Sequence, residues 1–126
     1  MSGSPADWLD FARGDLAVAR VLLLSDVPPR APAWHAQQAA EKALKAVLVA
    51  RGEAVPRTHD LLDLAARAGS HVSGLPSTRD LADLTFHAVQ PRYPDDLAEV
   101  DEADALRAAS TAERVLDSVE RFLKTL

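Results

Sequence analysis

Ala33-Trp34-His35-Ala36-Gln37-Gln38-Ala39-Ala40-Glu41-Lys42-Ala43-Leu44-Lys45-Ala46 mixes alanine with long polar side chains at helical spacing. At about 100° per residue, Ala36, Ala40, Ala43, Val47 and Ala50 fall on one side of a helix. Small residues there let a neighbouring helix approach closely. Gln38, Glu41, Lys42 and Lys45 fall together on the other side, and Glu41 before Lys45 is the favourable i,i+4 order of charges. That polar stripe is either solvated or functional.

Working outward, the same helix is expected to start near Pro32 and stop near Gly52. Upstream, Leu9, Ala12, Leu16, Ala19 and Leu23 recur at steps of three and four, predicting a first helix from about Pro5 to Ser25. Pro28, Pro29 and Pro32 stiffen the connection between the two. Downstream, Thr58 is expected to cap a short third helix to about Ala68. A fourth runs from about Ser77 to Val89 with Leu81, Leu84 and Ala88 inward. The last, from about Asp101 to Lys124, repeats Ala105, Ala109, Ala112, Leu116, Val119, Leu123 and Leu126 in heptad spacing. No stretch alternates with period two. The pattern predicts one all-α domain over residues 1–126, an up-and-down bundle of four main helices plus a short extra helix.

The chain has 126 residues, room for one core and too few for two. Without cysteine, thiolate metal sites and cysteine nucleophiles are excluded, and no cofactor is expected. The apolar run Val21 to Leu24 is too short to span a bilayer, and Met1 to Pro5 lacks the order of a signal peptide, so a cytoplasmic, membrane-free protein is expected. A net charge of −5 argues against indifferent wrapping of a nucleic-acid backbone. Six acids lie between Asp95 and Asp104, however, and the remainder, 14 basic and 13 acidic residues, leaves scope for a local basic cleft.

Several residues are candidates for chemistry. Asp15 flanks the apolar stripe of the first helix and needs a partner, for which Lys42 or Lys45 is the natural choice. Either this pair locks two helices or it forms part of a site. His35, His59, His71 and His87 lie on separate segments, and none makes the two-ligand helical spacing of a metal centre, so no metal is expected. His59 opens a helix beside Asp60, where it either finishes a turn or meets a ligand. Arg92-Tyr93-Pro94 pairs a guanidinium suited to phosphate with a phenol able to stack, or else ties down the acidic segment. Glycine-rich phosphate loops and a nucleophile elbow are missing.

The stretch Ala33 to Ala46, with Gly52, Pro56 and Thr58-His59-Asp60-Leu61 after it, Asp15-Leu16 before it and Arg92-Tyr93-Pro94 later, resembles the HEPN family of small helical domains. Order and spacing across nearly the whole chain carry the likeness. The resemblance implies a homodimeric up-and-down bundle, a minimal nucleotidyltransferase as partner in a two-gene, toxin–antitoxin-like system, and a nucleotide or RNA as ligand. It points to Asp15, Gln38, Glu41, Lys42, Lys45, His59, Arg92 and Tyr93 as the polar cleft. In this assignment Lys42, Lys45 and Arg92 meet phosphate, Tyr93 stacks, and Asp15 and Glu41 hold the cations.

Ribonucleases of this family carry an arginine followed after four to six residues by a histidine, late in the chain. Of the eleven arginines here, only Arg30 with His35 has that spacing, and it lies early, at the second helix. The alternative enzymatic reading is therefore a metal-independent endoribonuclease with a rearranged site drawn from His59, Arg92 and Tyr93. A purely structural oligomerisation domain is the third possibility.

Overall fold

A computed structural model describes the backbone of residues 3–88 and 100–126. Within these residues the chain forms five α-helices and no strand: α1 (Pro5–Leu23), α2 (Arg30–Ala50), α3 (Leu61–Ala68), α4 (Thr78–Ala88) and α5 (Glu102–Lys124), with a 3-10 turn at Gly69–His71 after α3. The expected all-α bundle is therefore found, with α3 as its short extra helix. Arg92, Tyr93, the expected end of α4 at Val89 and the inward side chain of Ala88 lie outside what is described.

Local chemistry accounts for most helix ends. Ser4 and Asp7 form a reciprocal capping box at the start of α1, as Asp101 and Asp104 do at the start of α5. The end of α1 falls at Leu23, before the expected Ser25, whose hydroxyl turns back to the Val21 carbonyl. α2 begins at Arg30, before Pro32; a proline in the first turn removes only an N–H that has no helical partner. Gly52, at φ +71°, turns the chain away after α2. α3 is capped by Asp60, which accepts from the Leu62 N–H, and not by Thr58, whose hydroxyl instead accepts from the Asp60 N–H.

The main departure from expectation is the position of α2. It packs against α1, α3, α4 and α5, so that Ala33, Ala36, Ala39, Ala40, Ala43, Leu44, Ala46, Val47 and Leu48 are all fully buried. A helix covered on nearly every side needs small side chains, because alanine lets several backbones approach at once. Part of the polar stripe is consequently drawn inside: Glu41 and Lys45 are buried, whereas Gln38 and Lys42 are partly exposed.

Two ion pairs, Arg13–Glu120 and Arg20–Glu113, fasten α1 to α5, and their numbering shows that the two helices run antiparallel. Contacts of Phe11 and Asp15 with Lys42, and of Asp15 with His35, show the same for α1 and α2. On α5 the heptad stripe is buried from Ala105 to Val119, joined by Ala108, Thr111, Val115 and Ser118, whereas Leu126 is exposed. Leu44→Ala should lower unfolding free energy by about 2–5 kcal/mol, whereas Leu106→Ala on the solvent side of α5 should change it by less than about 0.5 kcal/mol, as read by urea denaturation.

Candidate functional site

Two hydrogen-bonded networks share α2. In the first, Asp15 reaches across from α1 and its carboxylate accepts from Lys42 Nζ at 2.5 Å through Oδ2, while His35 Nδ1 lies 3.3 Å from Oδ1. Lys42 is thus the partner Asp15 requires. Asp15 is mostly buried, and Lys42 and His35 each keep somewhat more than a quarter of their side chains exposed, 29% and 28%. Two aromatic rings border this network. Lys42 Nζ stands 5.9 Å from the centroid of exposed Phe11, and Trp34 meets the His35 ring edge-on at 4.9 Å.

In the second network Glu41 is the centre. Its Oε2 accepts from Lys45 Nζ at 2.9 Å, one helical turn along, and its Oε1 lies 2.8 Å from His59 Nδ1. Gln37 Nε2 donates both to Glu41 Oε1 at 3.3 Å and to the His59 carbonyl at 2.8 Å. Gln38 Nε2 in turn donates to Gln37 Oε1 at 3.0 Å. The loop between α2 and α3 is therefore pinned to α2 by a side-chain amide and a carboxylate. Glu41 and Lys45 lie in the interior, while the His59 side chain is 70% exposed.

Burial explains why the lysines are so tightly matched. An ammonium taken out of water without a counter-charge costs several kcal/mol, so each lysine has its own carboxylate. Each Nζ nevertheless carries three N–H groups, and one carboxylate contact leaves donors over.

Of the expected site residues, the structure joins Asp15 to Lys42, and Gln38, Glu41, Lys45 and His59 to one another. His35, Gln37, Phe11 and Trp34 are additions. Gln37 precedes Glu41 by one turn and His35 precedes Lys42 by two, a spacing legible in the sequence but easily lost among the alanines. Among the described residues no group of three or more histidine, aspartate or glutamate side chains is placed to hold a metal, and no helix is long and apolar enough to cross a membrane.

The bundle defines a class of small helical domain in which a central alanine-rich helix carries its own ionic site. The chain belongs to the HEPN family: the HEPN domain model matches residues 5–122. It is 32% identical to a candidate toxin of Methanocaldococcus jannaschii, MJ1304, over 90% of this chain and 84% of that protein. Among solved structures it is similar to TT1696 from Thermus thermophilus, with a TM-score of 0.79 at 32% identity, covering 94% of this chain and 97% of that one. The archaeal HEPN homologue ST0689 shares the fold, with a TM-score of 0.68 at 24% identity and the same coverage.

Glu41→Ala strands a buried ammonium and should cost about 3–5 kcal/mol. Asp10, exposed, should cost less than about 1 kcal/mol when replaced by alanine. Asp15→Ala is expected between the two, and urea denaturation of the three variants measures the order. Equal losses for Asp15 and Asp10 would show that Asp15 pairs in open water.

Proposed function

We propose that this HEPN domain is a homodimeric, cytoplasmic module that binds a nucleotide or RNA segment beside a minimal nucleotidyltransferase, as one half of a toxin–antitoxin-like pair. The observation that carries the binding reading is the polar seam on α2: Lys42 and Lys45 stand pre-oriented by Asp15 and Glu41, with exposed Phe11 beside Lys42 and exposed Trp34 against His35. A basic group beside an aromatic face is the combination that takes a phosphate and a base together. Arg92 and Tyr93, which follow α4 in sequence, are assigned to the same ligand by the family resemblance, with Gln38 and His59 as further polar contacts. Similarity to a candidate toxin supports the two-gene reading. Apolar Val18 and Val21, exposed on α1, and Leu24 just after it supply surface for a second copy.

One observation favours the enzymatic alternative, a metal-independent endoribonuclease. Carboxylate contact through Nδ1 orients the exposed imidazole of His59 as in general-base sites. There His59 takes the proton of a ribose 2′-hydroxyl while Arg92 stabilises charge on phosphorus.

Mono- and dinucleotides and a short single-stranded RNA, titrated with chelator present, test both readings. Binding should weaken as salt rises, Lys42→Ala should weaken it about tenfold or more, and Arg92→Ala should reduce the salt slope by about one. Affinity unchanged in both variants removes the cleft from consideration. Cleavage of the RNA by wild type and not by His59→Ala moves the assignment to the nuclease. Sedimentation equilibrium at micromolar concentration should give a dimer, and a strict monomer refutes that part.

A further inference from the structure

The contacts of Glu41 determine which nitrogen of His59 carries a proton. Glu41 accepts from Lys45 Nζ through one oxygen and from Gln37 Nε2 through the other, so the carboxylate is ionised and only accepts. His59 Nδ1 lies 2.8 Å from that second oxygen. Two acceptors cannot share a hydrogen bond, so Nδ1 bears the hydrogen. In the neutral ring this leaves the lone pair on Nε2, at the opposite edge of a side chain that is 70% exposed.

Gln37 makes this arrangement one-directional. It is 1% exposed, and its Nε2 bridges the His59 carbonyl and Glu41 Oε1, both of which only accept. A flipped amide would set oxygen against oxygen at both contacts. Gln38 completes the set by donating to Gln37 Oε1. The backbone of His59 is thereby tied to the same carboxylate that its ring contacts.

We propose that Gln37 is a positioning residue that holds neutral His59 as the Nδ1–H tautomer and presents Nε2 as an acceptor for a hydroxyl of the ligand. A lone pair there repels phosphate oxygens and attracts a donor, so the group that fits is a ribose 2′-hydroxyl and not the phosphate. The choice of ligand rests on the nucleotide-binding reading, whereas the tautomer rests on the hydrogen bonds alone.

Long-range proton–nitrogen spectra of the full chain labelled at histidine, recorded at mildly alkaline pH, read the tautomer without any ligand. Wild-type His59 should show the Nδ1–H pattern. Gln37→Met should move it towards the Nε2–H form that free histidine prefers, with helix content unchanged by circular dichroism. Should that variant fail to fold, Gln37→Asn, one methylene too short to reach both acceptors, should give the same shift. Loss of stability without movement of the tautomer would reduce Gln37 to a packing residue and overturn the proposal, as would a wild-type Nε2–H pattern. In a second arm, a ribo-dinucleotide should bind roughly fivefold tighter than its 2′-deoxy counterpart, the worth of one neutral hydrogen bond, and Gln37→Met should abolish the difference. Discrimination that survives in Gln37→Met overturns the positioning role. If wild type binds neither dinucleotide, the nucleotide reading fails, and the tautomer spectra alone decide the role of Gln37.

Discussion

Glu41 and Lys45 form an ion pair inside α2, which packs against each of the other four described α-helices, and the described bundle is arranged around that burial. A helix packed on nearly all sides is ordinarily apolar all round. Here two charges are retained, one turn apart, so the pair is satisfied within its own element and demands no partner from a neighbouring helix. Gln37 and His59 share the other Glu41 oxygen and bring the loop after α2 back against the helix. Truncating one member would leave the other stranded in the interior, so the network is held together by the cost of breaking it more than by the net gain of forming it.

Alanine makes this geometry possible. Ala36, Ala40 and Ala43 occupy little volume, which brings neighbouring backbones close and places long side chains such as Lys45 within a crowded interior. Leucines from α2, α3 and α4, with valines from α2 and α5, then fill the space left between them. The exposed pairs Arg13–Glu120 and Arg20–Glu113 add register between α1 and α5, but such pairs contribute little stability in water. Apolar burial is the larger contribution, and the ionic networks decide where each helix face must point.

That division bears on function. On the proposed reading the two lysines are oriented before any ligand arrives, so binding would not have to order two long side chains, an entropy cost that a flexible surface lysine would incur. Each is also already neutralised, which limits what an anion gains from meeting it. On the proposed binding reading, selectivity falls to the groups at the edge of the seam, the imidazoles of His35 and His59 and the rings of Phe11 and Trp34. An acidic protein with locally matched cations is better suited to one defined ligand than to a length of nucleic-acid backbone.

Local patterns by themselves determined the helices. The steps of three and four in α1, the alanine face of α2, the caps at Ser77 and Asp101 and the heptads of α5 are consequences of backbone geometry, which acts over a few residues and is therefore written in neighbouring residues. The membership of the polar stripe on α2 was legible for the same reason, as was the need of Asp15 for a lysine. Tertiary structure alone decided that Glu41 and Lys45 of this stripe are interior while Gln38 and Lys42 stay partly exposed, that Asp15 takes Lys42 while Glu41 takes Lys45, and that Gln37, adjacent to the expected Gln38, joins Glu41 to His59. A helical wheel distinguishes two faces, but how many neighbours cover them depends on contacts between residues far apart in the chain. No spacing within α2 records that a fourth helix closes over it, and only that closure turns a surface stripe into a desolvated site.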